Sequence, residues 1–173
     1  MDINNFPHEA AIRYVLQRQC IDAMGAYNVP SGWEKSSIAR KLRDACIMHK
    51  VDPVLALAQG IMESHFAVNP YARRSRKHKN IFNWLNTDDG KNHTFASFED
   101  GIEQYCKTMS REYYWADDPD KGLPGWVTLE MMLRHDFTRP KGGKYASAWD
   151  YTMKIRKLSA TIKKNLLEGA KNG

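Results

Sequence analysis

Apolar residues recur along this chain at the three-to-four-residue spacing of helices, and turn signals separate the runs. The first predicted helix covers residues 7–24, with Ile12, Val15 and Ile21 inward and Gly25 as its stop. The second begins at Ser36 or Ser37 and reaches residue 50 through Ile38, Leu42 and Ala45. The third covers 52–66. A fourth starts at Ser97, where Asp100 three residues on resembles a capping box, and carries the stripe Ile102, Tyr105, Cys106, Met109 and Tyr113. A short helix is expected over 126–135. The last runs over 145–168, with Tyr151, Ile155, Leu158, Ile162 and Leu166 as one buried face and Gly169 as terminator. Only 81–85 and 93–96 read as extended, and they flank a segment in which Asp89-Gly90 is a hairpin-turn signal. The expectation is a mainly α fold of about six helices with a very small β hairpin lobe. A chain of 173 residues suits one domain over its whole length, the helices of residues 1–50 packing on the rest.

The third helix stands apart in composition. Apart from His65, Glu63 is the only acid or base between Pro53 and Tyr71. Asp52 is a good N-cap, and Pro53 suits the first helical position, where its missing N–H has no partner anyway. At 100° per residue Val54, Leu57 and Ile61 lie opposite Glu63, while Ala56, Gln59 and Gly60 share its face. Glu63 is therefore expected to open onto small residues that leave room for a ligand. A carboxyl held among apolar neighbours loses hydration when it ionises, so its pKa rises and it keeps its proton near neutral pH, as a general acid requires. The plain alternative is a helix-end glutamate that is solvated or hydrogen-bonded to a neighbouring loop.

The residues around Glu63 carry a resemblance. Ala58-Gln59-Gly60-Ile61-Met62-Glu63-Ser64 is followed by Asn80-Ile81-Phe82-Asn83, by Phe95-Ala96-Ser97-Phe98-Glu99, and by Lys144-Tyr145-Ala146-Ser147-Ala148-Trp149-Asp150-Tyr151. In order and content these motifs resemble the glucosaminidase family of peptidoglycan hydrolases, within the lysozyme-like superfamily, over roughly residues 51–162. Asn83 departs from the family's Gly after Phe, which implies a less close backbone approach to the sugar. The stretch 81–95 is also short for the family's β lobe. Lytic transglycosylases share the Glu-Ser helix ending, but their Gly-Leu-Met-Gln sequence is absent here.

The resemblance implies a lysozyme-like α+β fold and an endo-β-N-acetylglucosaminidase-like cut of the glycan strand, with a lytic transglycosylase or muramidase as the alternatives. It makes Glu63 the general acid and assigns Tyr145 to the substrate's acetamido group; a buried core tyrosine is the plain alternative for Tyr145. Gln59, Ser64, Asn80 and Phe82 become substrate-binding candidates through the same motifs. Tyr71, Trp84 and Tyr113 join them as flat apolar surfaces for sugar rings. Asp88 and Asp89 are the only acids between Glu63 and Glu99, so Asp88 is the candidate second carboxylate. Both also fit a simple turn-building role before Gly90, and substrate assistance by the 2-acetamido group removes the need for either.

Charge adds one feature. The net charge is +6, and five of the seven residues from Arg73 to Lys79 are Arg or Lys, which reads as a cationic loop attracted to polyanions. No helix-turn-helix signal, zinc spacing or RNP-like strand accompanies it, so specific nucleic-acid binding is not expected. Cys20, Cys46 and Cys106 are widely spaced beside apolar residues and read as reduced core thiols, with no metal and no cofactor expected. No transmembrane run and no secretory signal are seen, so the protein is expected to be made in the cytoplasm and to reach the cell wall by phage delivery or at lysis. The expected partners are peptidoglycan strands, with virion or holin association; the alternative of another class is a catalytically silent structural or wall-binding virion protein.

Overall fold

The computed structural model describes residues 6–84, 92–119, 125–146 and 150–172. The protein is mainly helical, with α1 (Glu9–Leu16), α2 (Lys35–His49), α3 (Pro53–Ser64), α4 (Arg73–Lys77), α5 (Phe98–Glu112), α6 (Leu129–Arg134) and α7 (Tyr151–Lys171). After Leu16 the chain winds on as a π-helical stretch, Gln17–Asp22. None of the described helices is long and apolar enough to cross a membrane.

Local chemistry sets most of the boundaries. Asp52 accepts the Val54 N–H at 2.8 Å, and Pro53 opens α3. Ser97 accepts from Asp100 N at 3.0 Å to open α5. Asp100 returns its carboxylate to Ala96 N at 3.2 Å, one residue earlier than the reciprocal capping box places it. Helix α2 begins earlier than its serines suggest, because the Glu34 carboxylate accepts from both Ser36 N and Ser37 N. An anion at that end also complements the helix dipole.

Helix α3 is the centre of the fold. Every residue from Pro53 to Ile61 is buried, as befits a helix that is apolar all round. Helices α2 and α7 pack directly on it; α1 lies against both, and α5 against α2. At Gly169 an added Cβ would stand 2.7 Å from Cβ of Tyr14 and 2.9 Å from Cα of Ala11, so the glycine sets how closely α7 approaches α1.

Three expectations change. Among the described residues there is no strand, only the isolated bridges Val51–Val127 and Thr138–Lys144, and the β hairpin is not seen. Its turn, with Asp88 and Asp89, lies outside the described residues. Ile81 and Phe82 form a turn instead of a strand, because the Asn80 side chain binds both Trp84 O (2.7 Å) and Trp84 N (2.9 Å) and closes the loop on itself. The basic run is a short helix, α4, rather than a loop. Helix α6 starts at Leu129 because Val127 is held extended between Lys50 O (2.8 Å) and Asp52 N (2.9 Å).

Candidate active site

Glu63 occupies the last turn of α3, half-buried. Directly after it the backbone turns through three successive left-handed residues, His65 (φ 49°), Phe66 (φ 55°) and Ala67 (φ 66°). Such residues cost about 1 kcal/mol each, so something must hold them. Phe66 N bonds Gly60 O at 3.0 Å, Ala67 N bonds Ser64 Oγ at 2.8 Å, and that hydroxyl donates to Ile81 O at 2.7 Å. Ser64 is thus a turn brace, its hydroxyl committed in both directions and fully buried. No sugar contact falls to it.

The turn swings Phe66 back against α3. A Cβ added at Gly60 would lie 2.5 Å from the Phe66 ring, so that ring fills the helix face at Gly60. The expectation of an open face along Ala56, Gln59 and Gly60 is corrected accordingly; all three are buried.

Two donors hold the Glu63 carboxyl. The Tyr151 hydroxyl donates to Oε1 at 3.2 Å, and Nδ2 of Asn83 donates to Oε2 at 3.2 Å and to the Glu63 carbonyl at 3.3 Å. Among the described residues no Lys, Arg or His forms an ion pair with it. Burial lifts its pKa above the ordinary carboxylate value; the Asn83 and Tyr151 hydrogen bonds oppose that rise without cancelling it. Asn83 itself sits at φ 48°, a region asparagine and glycine tolerate best, and its Oδ1 accepts from Ser75 Oγ at 2.8 Å. The departure from glycine therefore leaves the backbone conformation accessible and adds a side-chain donor to the acid.

Behind Tyr151 the contacts continue into the core. Gln59 donates from Nε2 to the Tyr151 oxygen at 3.3 Å and accepts the Tyr105 hydroxyl on Oε1. With its oxygen occupied as an acceptor from Gln59, Tyr151 has its own hydrogen free to give to Glu63. Gln59 is fully buried and acts through this chain, not as a sugar contact.

An aromatic wall stands beside the acid. Trp84 stacks on Tyr145 with centroids 5.4 Å apart and meets Tyr113 edge-on at 6.2 Å; Phe137 meets Tyr151 edge-on at 5.1 Å. Arg139 donates to the Tyr113 hydroxyl at 3.0 Å and lies over the Trp84 ring at 5.8 Å. Tyr145 donates to Phe82 O at 2.9 Å, so its hydroxyl hydrogen is engaged and the oxygen is left to accept. Phe82 is buried and stacked on Tyr105 at 3.7 Å, which makes it a packing residue. Asn80 is the buried brace of its loop.

Glu63, Tyr145, Trp84 and Tyr113 are thus brought into one neighbourhood, with Gln59, Ser64, Asn80 and Phe82 as its support. Tyr71 stands apart and exposed, and Asp88 lies outside the described residues. The residues missed from sequence are Asn83, Ser75, Arg139, and Tyr151, which helical spacing assigns to packing. One signal for Tyr151 was available, since it closes the Tyr-Ala-x-x-x-x-Tyr segment.

The fold and site together define a mainly helical protein with a half-buried carboxyl at the end of its central helix that forms no ion pair among the described residues. Comparison of the chain with models of known families, with curated proteins and with solved structures gives no match in any of the three.

Proposed function

We propose that this protein is a peptidoglycan glycan-strand hydrolase of lysozyme-like fold, endo-β-N-acetylglucosaminidase-like in its cut, with Glu63 as general acid. The observation that carries the reading is the environment of that carboxyl: partly desolvated, without a cationic partner among the described residues, and held by two neutral donors. An arginine ion pair would push the carboxyl's pKa down and away from proton donation; burial with no such pair among the described residues pushes it up, the direction a general acid needs.

In the reaction Glu63 gives its proton to the glycosidic oxygen as the bond from that oxygen to the anomeric carbon breaks. Tyr151 and Asn83 then hydrogen-bond a carboxylate instead of an acid, and such bonds strengthen as charge develops. The electron-poor anomeric carbon is met by the substrate's 2-acetamido oxygen or by a water that Asp88 directs. When water completes the hydrolysis, Glu63 takes back a proton and the acid is restored. Tyr145, its hydrogen given to Phe82 O, accepts from the acetamido N–H and orients that group. Tyr145, the partly exposed ring of the aromatic cluster, meets the sugar, with the buried Trp84 and Tyr113 packed behind it. A phage-type lysin, delivered by a virion or released at lysis, is the setting that the sequence motifs suggest.

Isolated sacculi provide the test. Wild-type protein releases soluble muropeptides, and Glu63→Gln lowers that rate by about 10²- to 10⁴-fold with unchanged helical circular dichroism. Mass spectrometry of the fragments assigns the bond, since reducing-end identity and a missing water separate glucosaminidase, muramidase and transglycosylase products. Equal release by both proteins removes Glu63 from the chemistry; no release by either leaves a wall-binding protein.

A further inference from the structure

Helix α4 places Arg73, Arg74, Arg76 and Lys77 on one short turn, with Lys79 just beyond it, and no acid occurs from Tyr71 to Asn80. Arg73, Arg74 and Lys77 are exposed. Arg73, Arg76, Lys77 and Lys79 form no ion pair with a described carboxylate, whereas much of the remaining surface charge is neutralised in pairs such as Arg40–Glu9, Lys41–Glu103, Arg139–Glu112 and Lys163–Glu130. Arg74 is directed by a 2.6 Å bond to Oδ1 of Asn92, and Lys79 by one to Ala96 O.

The position of this turn is fixed relative to Glu63. Ser75, the one buried residue of α4, donates to Asn83 at 2.8 Å, and Asn83 donates to Glu63 at 3.2 Å. Two hydrogen bonds therefore separate the cationic turn from the acid. Burial and the Asn83 and Tyr151 hydrogen bonds, not an α4 cation, set the direction of the Glu63 shift. Tyr71 precedes the turn, 88% exposed as a residue, in a bend held by Tyr71 N to Asn69 Oδ1 at 2.9 Å. Exposed tyrosine beside Arg73, Arg76, Lys77 and Lys79, which pair with no described carboxylate, is a surface for a ligand with both sugar faces and anions.

We infer that Tyr71 with Arg73, Arg76, Lys77 and Lys79 forms an anion-binding subsite that grips carboxylate or phosphate groups carried by the glycan strand that Glu63 cuts. The inference rests on the glycan-strand reading for the identity of its ligand. It assigns substrate class: charged wall glycan is preferred over a neutral N-acetylglucosamine polymer. Stem-peptide carboxylates and phosphodiester-linked wall polymers supply the same chemistry.

Brief cosedimentation in the cold, with no need of turnover, tests it. The wild-type chain and the triple variant Arg73→Gln, Arg76→Gln, Lys77→Gln are spun with intact sacculi, with sacculi stripped of phosphodiester polymers by hydrofluoric acid, with chitin and with duplex DNA. The expected result is sacculus retention about tenfold weaker for the variant, from three lost surface charges, and a fall for the wild type as salt rises. Tyr71→Ala weakens retention on sacculi as well. Loss of wild-type binding on stripped sacculi identifies phosphate as the anion; retention identifies the stem carboxylates. Equal binding by wild type and triple variant, salt-independent retention, binding to chitin as tight as to sacculi, or tighter binding to DNA each overturns the inference. Muropeptide release is read separately in the same tubes after warming: retention without release sinks the catalytic reading and leaves the subsite, and release with variant-independent retention does the reverse.

Discussion

The Tyr151 hydroxyl donates to Oε1 of Glu63 across 88 positions of sequence, and it does so because Gln59 occupies its oxygen. Removing that hydroxyl with Tyr151→Phe leaves the ring packed against Phe137 and takes away a bond that favours the carboxylate, together with the acceptor of Gln59 Nε2. The Glu63 pKa rises further, so the alkaline limb of the pH–rate profile moves to higher pH while the maximal rate falls. Carboxyl-labelled NMR titration reads the shift directly and independently of turnover. Tyr105→Phe, which does not touch Glu63 and keeps the Phe82 stack, moves the titration in the same direction by less. An unchanged Glu63 titration in Tyr151→Phe removes the hydroxyl from any control of the acid.

Asn83 lends itself to a separation of backbone from side chain. Asn83→Ala puts a Cβ without local hydrogen bonding at φ 48° and deletes the donor to Glu63, and it is expected to cost about 1–3 kcal/mol in urea unfolding. Asn83→Gly keeps the left-handed backbone free of strain and loses only the amide, so its stability lies closer to wild type. Both variants raise the Glu63 pKa alike. A Gly variant as unstable as the Ala variant shows that the Ser75–Asn83–Glu63 bridge, rather than the backbone, is what stabilises this loop.

Much of this architecture is readable along the chain, and the failures share a cause. The caps at Asp52 and Ser97 and the stripes of α2, α5 and α7 rest on local rules, so residues close in sequence suffice to find them. Glu63 stands out because its uncharged run is local too. What sequence misplaces depends on backbone turns that periodicity does not report: the Gly60 face is filled because residues 65–67 turn left-handed, and Asn80 closes the loop that reads as a strand. Tyr151 is spaced as a core residue and is one, yet its hydroxyl reaches the acid. Periodicity reports which face is buried and is silent on the polar atom at its tip.

Gly60→Ala tests the filled face. In a helix interior the change ordinarily stabilises by about 1 kcal/mol, but here the new methyl meets the Phe66 ring, and a net loss of about 1–3 kcal/mol is expected. Thermal unfolding measures it. The double variant Gly60→Ala, Phe66→Leu recovers part of the loss by removing the clashing ring edge. A stabilised single variant means that Phe66 moves aside at little cost and that space beside Glu63 is available after all.

Asp52 governs the acid side of stability. Its carboxyl is buried, accepting from Val54 N at 2.8 Å and from Leu129 N at 3.1 Å, and so ties the start of α3 to the start of α6. Burial outweighs those two bonds and raises its pKa from 3.8 to about 6. A folded pKa above the unfolded one means that the native state binds the proton more tightly between those values. This group's contribution is therefore complete below about pH 4, declines as pH rises to about 6 and is level beyond; a shift of this size corresponds to about 3 kcal/mol. Glu103 and Asp136, whose pKa values are lowered by hydrogen bonds from His49 and Lys41 and from Lys144 and Thr152, act in the opposite sense and lose stability as pH falls. The Asp52 share is isolated by comparison with Asp52→Asn, which cannot titrate. In urea unfolding at pH 4, 5, 6 and 7, the stability of wild type relative to Asp52→Asn is expected to fall by about 2 to 2.5 kcal/mol across the series, most of the full shift. Parallel profiles would mean that Val54 and Leu129 hold Asp52 ionised throughout, and that α3 begins on a buried charge.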